Sequence, residues 1–137
     1  MTHRLLLTAS ILCGLAFVAA PLVAHHSVAA QFDRTKPVTL TGPVTKLDWI
    51  NPHARFLMEV KDAEGKATIW EVELSAPAML MRRGWTRNAL PIGGTVTASG
   101  SSAKDGSKMI YANSITLSDG KRVFSGSPEE LGGPPQE

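Results

Sequence analysis

The sequence predicts a mainly β protein, a small barrel of five to six strands with one short helix between the third and fourth. Three observations carry this. Apolar and polar residues alternate over successive short runs between residues 38 and 124. Turn signals separate the runs, among them Asn51-Pro52, Asp62-Ala63-Glu64-Gly65 and Lys104-Asp105-Gly106. A single stretch, Ala76 to Arg83, is patterned as a helix.

The first strand opens at Val38, where Val38, Leu40, Gly42 and Val44 alternate with polar residues. The apolar positions then jump parity to Leu47 and Trp49, so a bulge or bend is expected near Thr45-Lys46, with Gly42 easing the curvature. Asn51-Pro52 ends the strand, because proline fixes its own backbone angle and restricts its predecessor. The second strand, Ala54 to Lys61, sets Phe56, Met58 and Val60 on one face. The third, Thr68 to Leu74, does the same with Trp70, Val72 and Leu74 and turns Glu71 and Glu73 to the other face. Those two carboxylates read as a solvated face balanced by Arg55 or Lys61 on the neighbouring strand.

Ser75 is placed to cap the helix, Pro77 falls in its tolerant first turn, and Gly84 is placed to end it. Thr95 to Gly100 and Met109 to Leu117 are the fourth and fifth strands, and Lys121 to Phe124 is a short sixth. Three strands, a helix and two more strands is the order of the oligonucleotide- and oligosaccharide-binding barrel. A β-sandwich ranks second, since it does not account for the helix in that position.

The domain is preceded by a segment of different character. Residues 1–24 begin with His3 and Arg4, continue with an apolar run from Leu5 to Ala20 and leave through Pro21-Leu22-Val23-Ala24, the order of a cleavable secretory signal. Cleavage after Ala24 gives a chain that begins His25-His26-Ser27 and is periplasmic or secreted, without stable insertion in a membrane. Cys13 follows Leu12, where a lipid-anchoring signal would want a small residue, and it is the one cysteine of the chain. The processed domain is therefore expected to hold together by burial, without disulfides. Residues 25–37 read as an N-terminal arm, 38–124 as the barrel, and 125–137, rich in Ser, Gly, Pro, Glu and Gln, as a disordered tail.

Several segments together resemble a family of small exported bacterial proteins of unknown function. They are Ala24-His25-His26-Ser27, Phe32-Asp33, Pro37-Val38-Thr39-Leu40-Thr41-Gly42, Trp49-x-Asn51-Pro52-His53, Arg83-Gly84-Trp85 and Lys104-Asp105-Gly106. The chain departs from that family at Val28 and Arg55, where members tend to carry aromatic residues. The resemblance implies the domain and brings no activity with it.

Candidate functional residues are few. Removal of residues 1–24 takes Arg4 from the 14 basic residues and leaves the 12 acidic ones, a balance that speaks against a nucleic-acid partner. Arg82-Arg83 reads as a solvated helix end. Of the four histidines, His25, His26 and His53 remain after cleavage. An α-amine with an imidazole on one residue is a chelating pair, and nitrogen donors in a flat arrangement suit Cu(II), so copper is the cofactor this set would take. Trp49 and Asn51, beside His53 in the first loop, are the candidate ligand-binding residues. No cysteine nucleophile, glycine-rich phosphate loop or serine elbow is present, and the expectation is a monomeric, non-catalytic binding module. A protein- or glycan-interaction domain using the face of strands two and three is the alternative, and an enzyme ranks last.

Overall fold

A computed structural model describes residues 28–124. The expected signal segment, His25, His26 and the tail 125–137 lie outside the described residues. The elements in chain order are α1 (Val28–Gln31), β1 (Phe32–Asp48), β2 (Arg55–Lys61), β3 (Ala67–Glu73), α2 (Pro77–Arg82), β4 (Thr95–Ala103), β5 (Met109–Leu117) and β6 (Arg122–Phe124).

The strands pair in the order β3-β2-β1-β4-β5-β6, and β3 also pairs with β5, so that five of the six close into a ring. The closing pair is parallel, Glu71–Glu73 against Met109–Tyr111, while the others are antiparallel. This is the mainly β, OB-like fold that the strand and helix order implied, with β6 added on the outer side of β5.

The ring closes because β1 serves two neighbours. Its first part, Phe32 to Pro43, pairs with β4, and its last part, Val44 to Asp48, pairs with β2. The register shifts between Val44 and Lys46, where the apolar positions change parity. Gly42 stands just before the switch, and a Cβ there would overlap the main-chain carbonyl oxygen of Glu59. Only glycine lets the strand curl so closely past its neighbour. The strand begins at Phe32 rather than at Val38. A second register shift, between Asp33 and Pro37, breaks the alternation there, which is why residues 32–37 show no period in the sequence.

The main core joins Val44, Phe56, Met58, Val72, Leu74, Leu80, Val96, Ile110 and Ile115, all at most 2% exposed. Val60 and Trp70, on the same parity, are only partly buried at its margin. Trp85 plugs the core below α2. The helix ends as its residues dictate: Gly84 takes φ +85°, and the N–H of Trp85 donates back to the Leu80 carbonyl at 3.0 Å. Its start differs from expectation. Ser75 makes no cap; Ala76 is the N-cap residue, and Ser75 is fully buried with its hydroxyl 3.4 Å from that of Tyr111.

The bulge in β1 is tied by Asp33. Its carboxylate accepts the Thr35 hydroxyl at 2.6 Å and the Thr35 N–H at 3.0 Å, and these bonds, led by the hydroxyl and helped by Lys36, hold the Asp33 carboxyl below its ordinary range. Asp105 is lowered in the same way by Ser107 in the β4–β5 turn. A carboxyl lowered by folding stabilises the fold above its unfolded-state pKa of about 3.9 and loses that contribution as pH falls through the lowered value. Stability should therefore decline in the acid range below about pH 4. Asp33→Asn should reduce the dependence of the urea midpoint on pH over that range, and an unchanged dependence would assign the acid limb to other groups.

Candidate metal centre

His53 occupies the loop between β1 and β2, next to the cis Asn51–Pro52 bond. The loop returns into the sheet immediately. The N–H of Ala54 donates to the Ser75 carbonyl at 3.2 Å and that of Leu74 to the Ala54 carbonyl at 2.9 Å, which carries the β2–β3 ladder one step past the Arg55–Glu73 pair. His53 is thereby set beside Glu73, and its Nδ1–H donates to Oε1 of that carboxylate.

The surroundings are asymmetric. Glu73 is 4% exposed, whereas the His53 side chain is 24% exposed, so the carboxylate is the buried end of the pair and the imidazole its outlet to solvent. The other Glu73 oxygen lies 4.0 Å from Nε of Arg55, whose guanidinium reaches Glu71 at 3.2 Å. Tyr111 stands edge-on to the imidazole, ring centroids 6.2 Å apart, and its other neighbour is Phe32 at 5.7 Å. Phe32, Tyr111 and Val28 form a second buried cluster, separate from the main core.

The solvated-face reading of the two glutamates needs correction. Arg55 is indeed the cross-strand partner, but Glu73 is buried, because β5 closes on β3 and brings Tyr111 opposite Glu73 in the parallel ladder. A pattern read along one strand carries no sign of that closure. Tyr111, the one tyrosine of the chain, was likewise legible only as a strand residue.

Of the candidate metal and ligand-binding residues read from the sequence, His53 is the one among the described residues that enters this cluster. Trp49 is half-buried against the main core and Asn51 is exposed; among the described residues neither makes a hydrogen bond or ring contact with His53. Among the described residues no group of three or more His, Cys, Asp or Glu side chains could hold a metal ion. The geometry therefore supplies one oriented imidazole. With Nδ1–H directed at a buried carboxylate, the lone pair of Nε2 is left for a ligand, the arrangement by which carboxylates orient metal-binding histidines.

The model of DUF6152, a family of unknown function, matches residues 12–111. The chain belongs to this family. No curated protein matches its sequence. Among solved structures, the chain is similar to the mitochondrial single-stranded DNA-binding protein Rim1 of S. cerevisiae (TM-score 0.47, 9% identity, 69% of this chain and 98% of that one). It is also similar to the N-terminal domain of PriB from Thermoanaerobacter tencongensis (0.42, 18%, 61% and 96%) and to the yeast Stn1 and Ten1 structure (0.39, 13%, 70% and 46%). Likenesses at these identities concern fold alone, and the fold itself follows from the closed ring of pairings.

The exclusion of nucleic acid drawn from charge does not stand. Barrels of this fold can engage single strands through local cationic and aromatic surfaces, which a total charge near zero does not report.

Proposed function

We propose that this member of DUF6152 is an exported, non-catalytic binding module that takes Cu(II) at the barrel end around His53, completed by His25 and His26 of the processed chain. The observation that carries the reading is the hydrogen bond from His53 to the buried carboxylate of Glu73, which engages Nδ1 and leaves Nε2 as the second ring nitrogen of a side chain that is 24% exposed. A second observation supports it. Val28 is buried against Phe32 and Tyr111, and Tyr111 touches the His53 ring. An extended chain covers at most about 3.6 Å per residue, so a start three residues before Val28 has a reach of roughly 10 Å around this cluster. The α-amine and imidazole of His25, with the rings of His26 and His53, make a nitrogen-rich set suited to Cu(II).

A second reading is favoured by the start of β3. Ile69 is 49% exposed on its outer face, and Trp70, partly buried on the opposite face at the margin of the core, lies under the Lys108 ammonium, 5.0 Å from the ring centroid. A protein or glycan partner would find an apolar side chain on one face and the edge of an aromatic ring on the other. Intact mass of the exported protein separates the two. Cleavage after Ala24 should give a denatured mass beginning at His25, and the native mass after Cu(II) addition should exceed it by one copper. A native mass that stays at the metal-free value would leave the partner-binding face as the better reading.

A further inference from the structure

We propose that the barrel end made by α2 and the connection to β4 docks on the surface of an anionic bilayer. From Leu74 to Lys104 the chain contains no aspartate or glutamate, yet it carries Arg82, Arg83 and Arg87. All three arginines are exposed, and among the described residues none has a carboxylate within ion-pairing distance. Among the described residues, three of the four large apolar side chains that stand open to solvent, Ile50, Met81 and Ile92, belong to the same end at 59, 56 and 62% exposure.

The fold brings them there. α2 leaves the end of β3 beside the first loop, because Ala54 and Ser75 are joined by a main-chain bond. The connection then returns to β1, where Gly93 N–H donates to the Val44 carbonyl at 2.7 Å and Val44 N–H to the Gly94 carbonyl at 2.9 Å. A shallow cleft between these segments is lined by Leu47, Arg87, Leu90 and Ile92. The acidic group nearest in sequence to this wall, Asp48, is already held by Lys46 at 2.7 Å.

Charge and shape together select the partner. Guanidinium groups pair with phosphates, and aliphatic side chains between them can enter the boundary of headgroups and acyl chains, which is the composition of a surface-bound amphipathic element. A single-stranded nucleic acid would offer phosphates too, but it binds through exposed aromatic rings. The aromatic residue of this segment, Trp85, is 4% exposed and belongs to the core. Attachment would be peripheral, since among the described residues no helix is long and apolar enough to cross a membrane.

Flotation of the exported protein with vesicles tests this, using phosphatidylcholine alone and phosphatidylcholine mixed with phosphatidylglycerol. The protein should float with the mixed vesicles only, and less so as salt rises. Arg82→Gln, Arg83→Gln and Arg87→Gln together should weaken binding roughly a hundredfold, the combined effect of three cations near an anionic surface. Met81→Ser with Ile92→Ser should weaken it by about tenfold or more through lost apolar burial. All five positions are on the surface, and the second variant keeps the test open should the first fail to fold. Equal binding to both vesicle types, or no binding, would overturn the proposal. So would binding that survives both sets of substitutions, which would place it outside this end of the barrel. Arginine-dependent binding of an oligothymidylate without flotation would assign the patch to nucleic acid instead.

Discussion

Gly100→Ala should destabilise the barrel by roughly 3 kcal/mol or more, a large part of the 5–15 kcal/mol that holds a domain of this size. Gly100 lies on β4 opposite Ala112 of β5, at the register shift after Ser99. A Cβ there would overlap the main-chain carbonyl oxygen of Tyr111 and crowd the Ala112 Cα at 2.8 Å. A flexible side chain could swing aside, but these are backbone atoms of a central ladder. Relief therefore requires β4 and β5 to part at the point where β5 also pairs with β3. Gly106→Ala is the matched comparison. Gly106 takes φ +80° at the hairpin tip, and among the described residues no atom lies within 4 Å of where a Cβ would stand, so only the left-handed conformation is penalised, at about 1–2 kcal/mol. Urea unfolding followed by tryptophan fluorescence measures both. Equal losses for the two variants would show that the β4–β5 contact yields, contrary to the close approach described above.

Glu73→Ala should lower Cu(II) affinity by about 10–100-fold, the usual effect of removing the carboxylate that orients a metal-binding imidazole. Without it the His53 Nδ1–H loses its acceptor and the ring can turn, so that Nε2 no longer holds one direction. Arg55 loses a neighbour in the same change and retains Glu71. Glu73→Gln separates orientation from charge, because the amide oxygen can still accept from Nδ1–H. An affinity for Glu73→Gln nearer to that of the unsubstituted protein than to that of Glu73→Ala would identify orientation as the main contribution. Competition titration with a copper chelator gives the affinities, and equal values for all three proteins would remove Glu73 from the metal site.

Much of the fold was legible because the signals that set it are local. The alternation in β2 and β3, the parity jump at Val44–Lys46, the glycine turns and the proline-started α2 each act over a few residues, and each stands where the pattern placed it. What escaped the sequence depends on contacts between distant segments. Phe32 to Pro37 joins β1 only because β4 extends to Ala103 to receive it. Ser75 forgoes the helix cap because Tyr111 reaches it across the closing seam, and Glu73 is buried by the same seam. Of the candidate metal ligands, His53 could be singled out because histidines are few. Its anchor could not, because a glutamate alternating with apolar residues on a strand looks like any solvated carboxylate. Arg82 and Arg83 stand exposed at the end of α2 as the sequence indicated, whereas the acid-free span and the exposed Met81 and Ile92 come together as one surface only in the fold.

Calorimetric titration of Cu(II) into three proteins bears most directly on the proposed copper site: the chain beginning at His25, the same chain with one residue placed before His25, and His53→Ala. The chain beginning at His25 should bind one Cu(II) tightly, because the amine and ring of a single residue chelate with little additional ordering. The added residue should weaken binding strongly by moving the amine away from the His25 ring, and His53→Ala should weaken it by removing the imidazole that Glu73 holds in place. Equal affinities for the three proteins would contradict the site and return the protein to a partner-binding module.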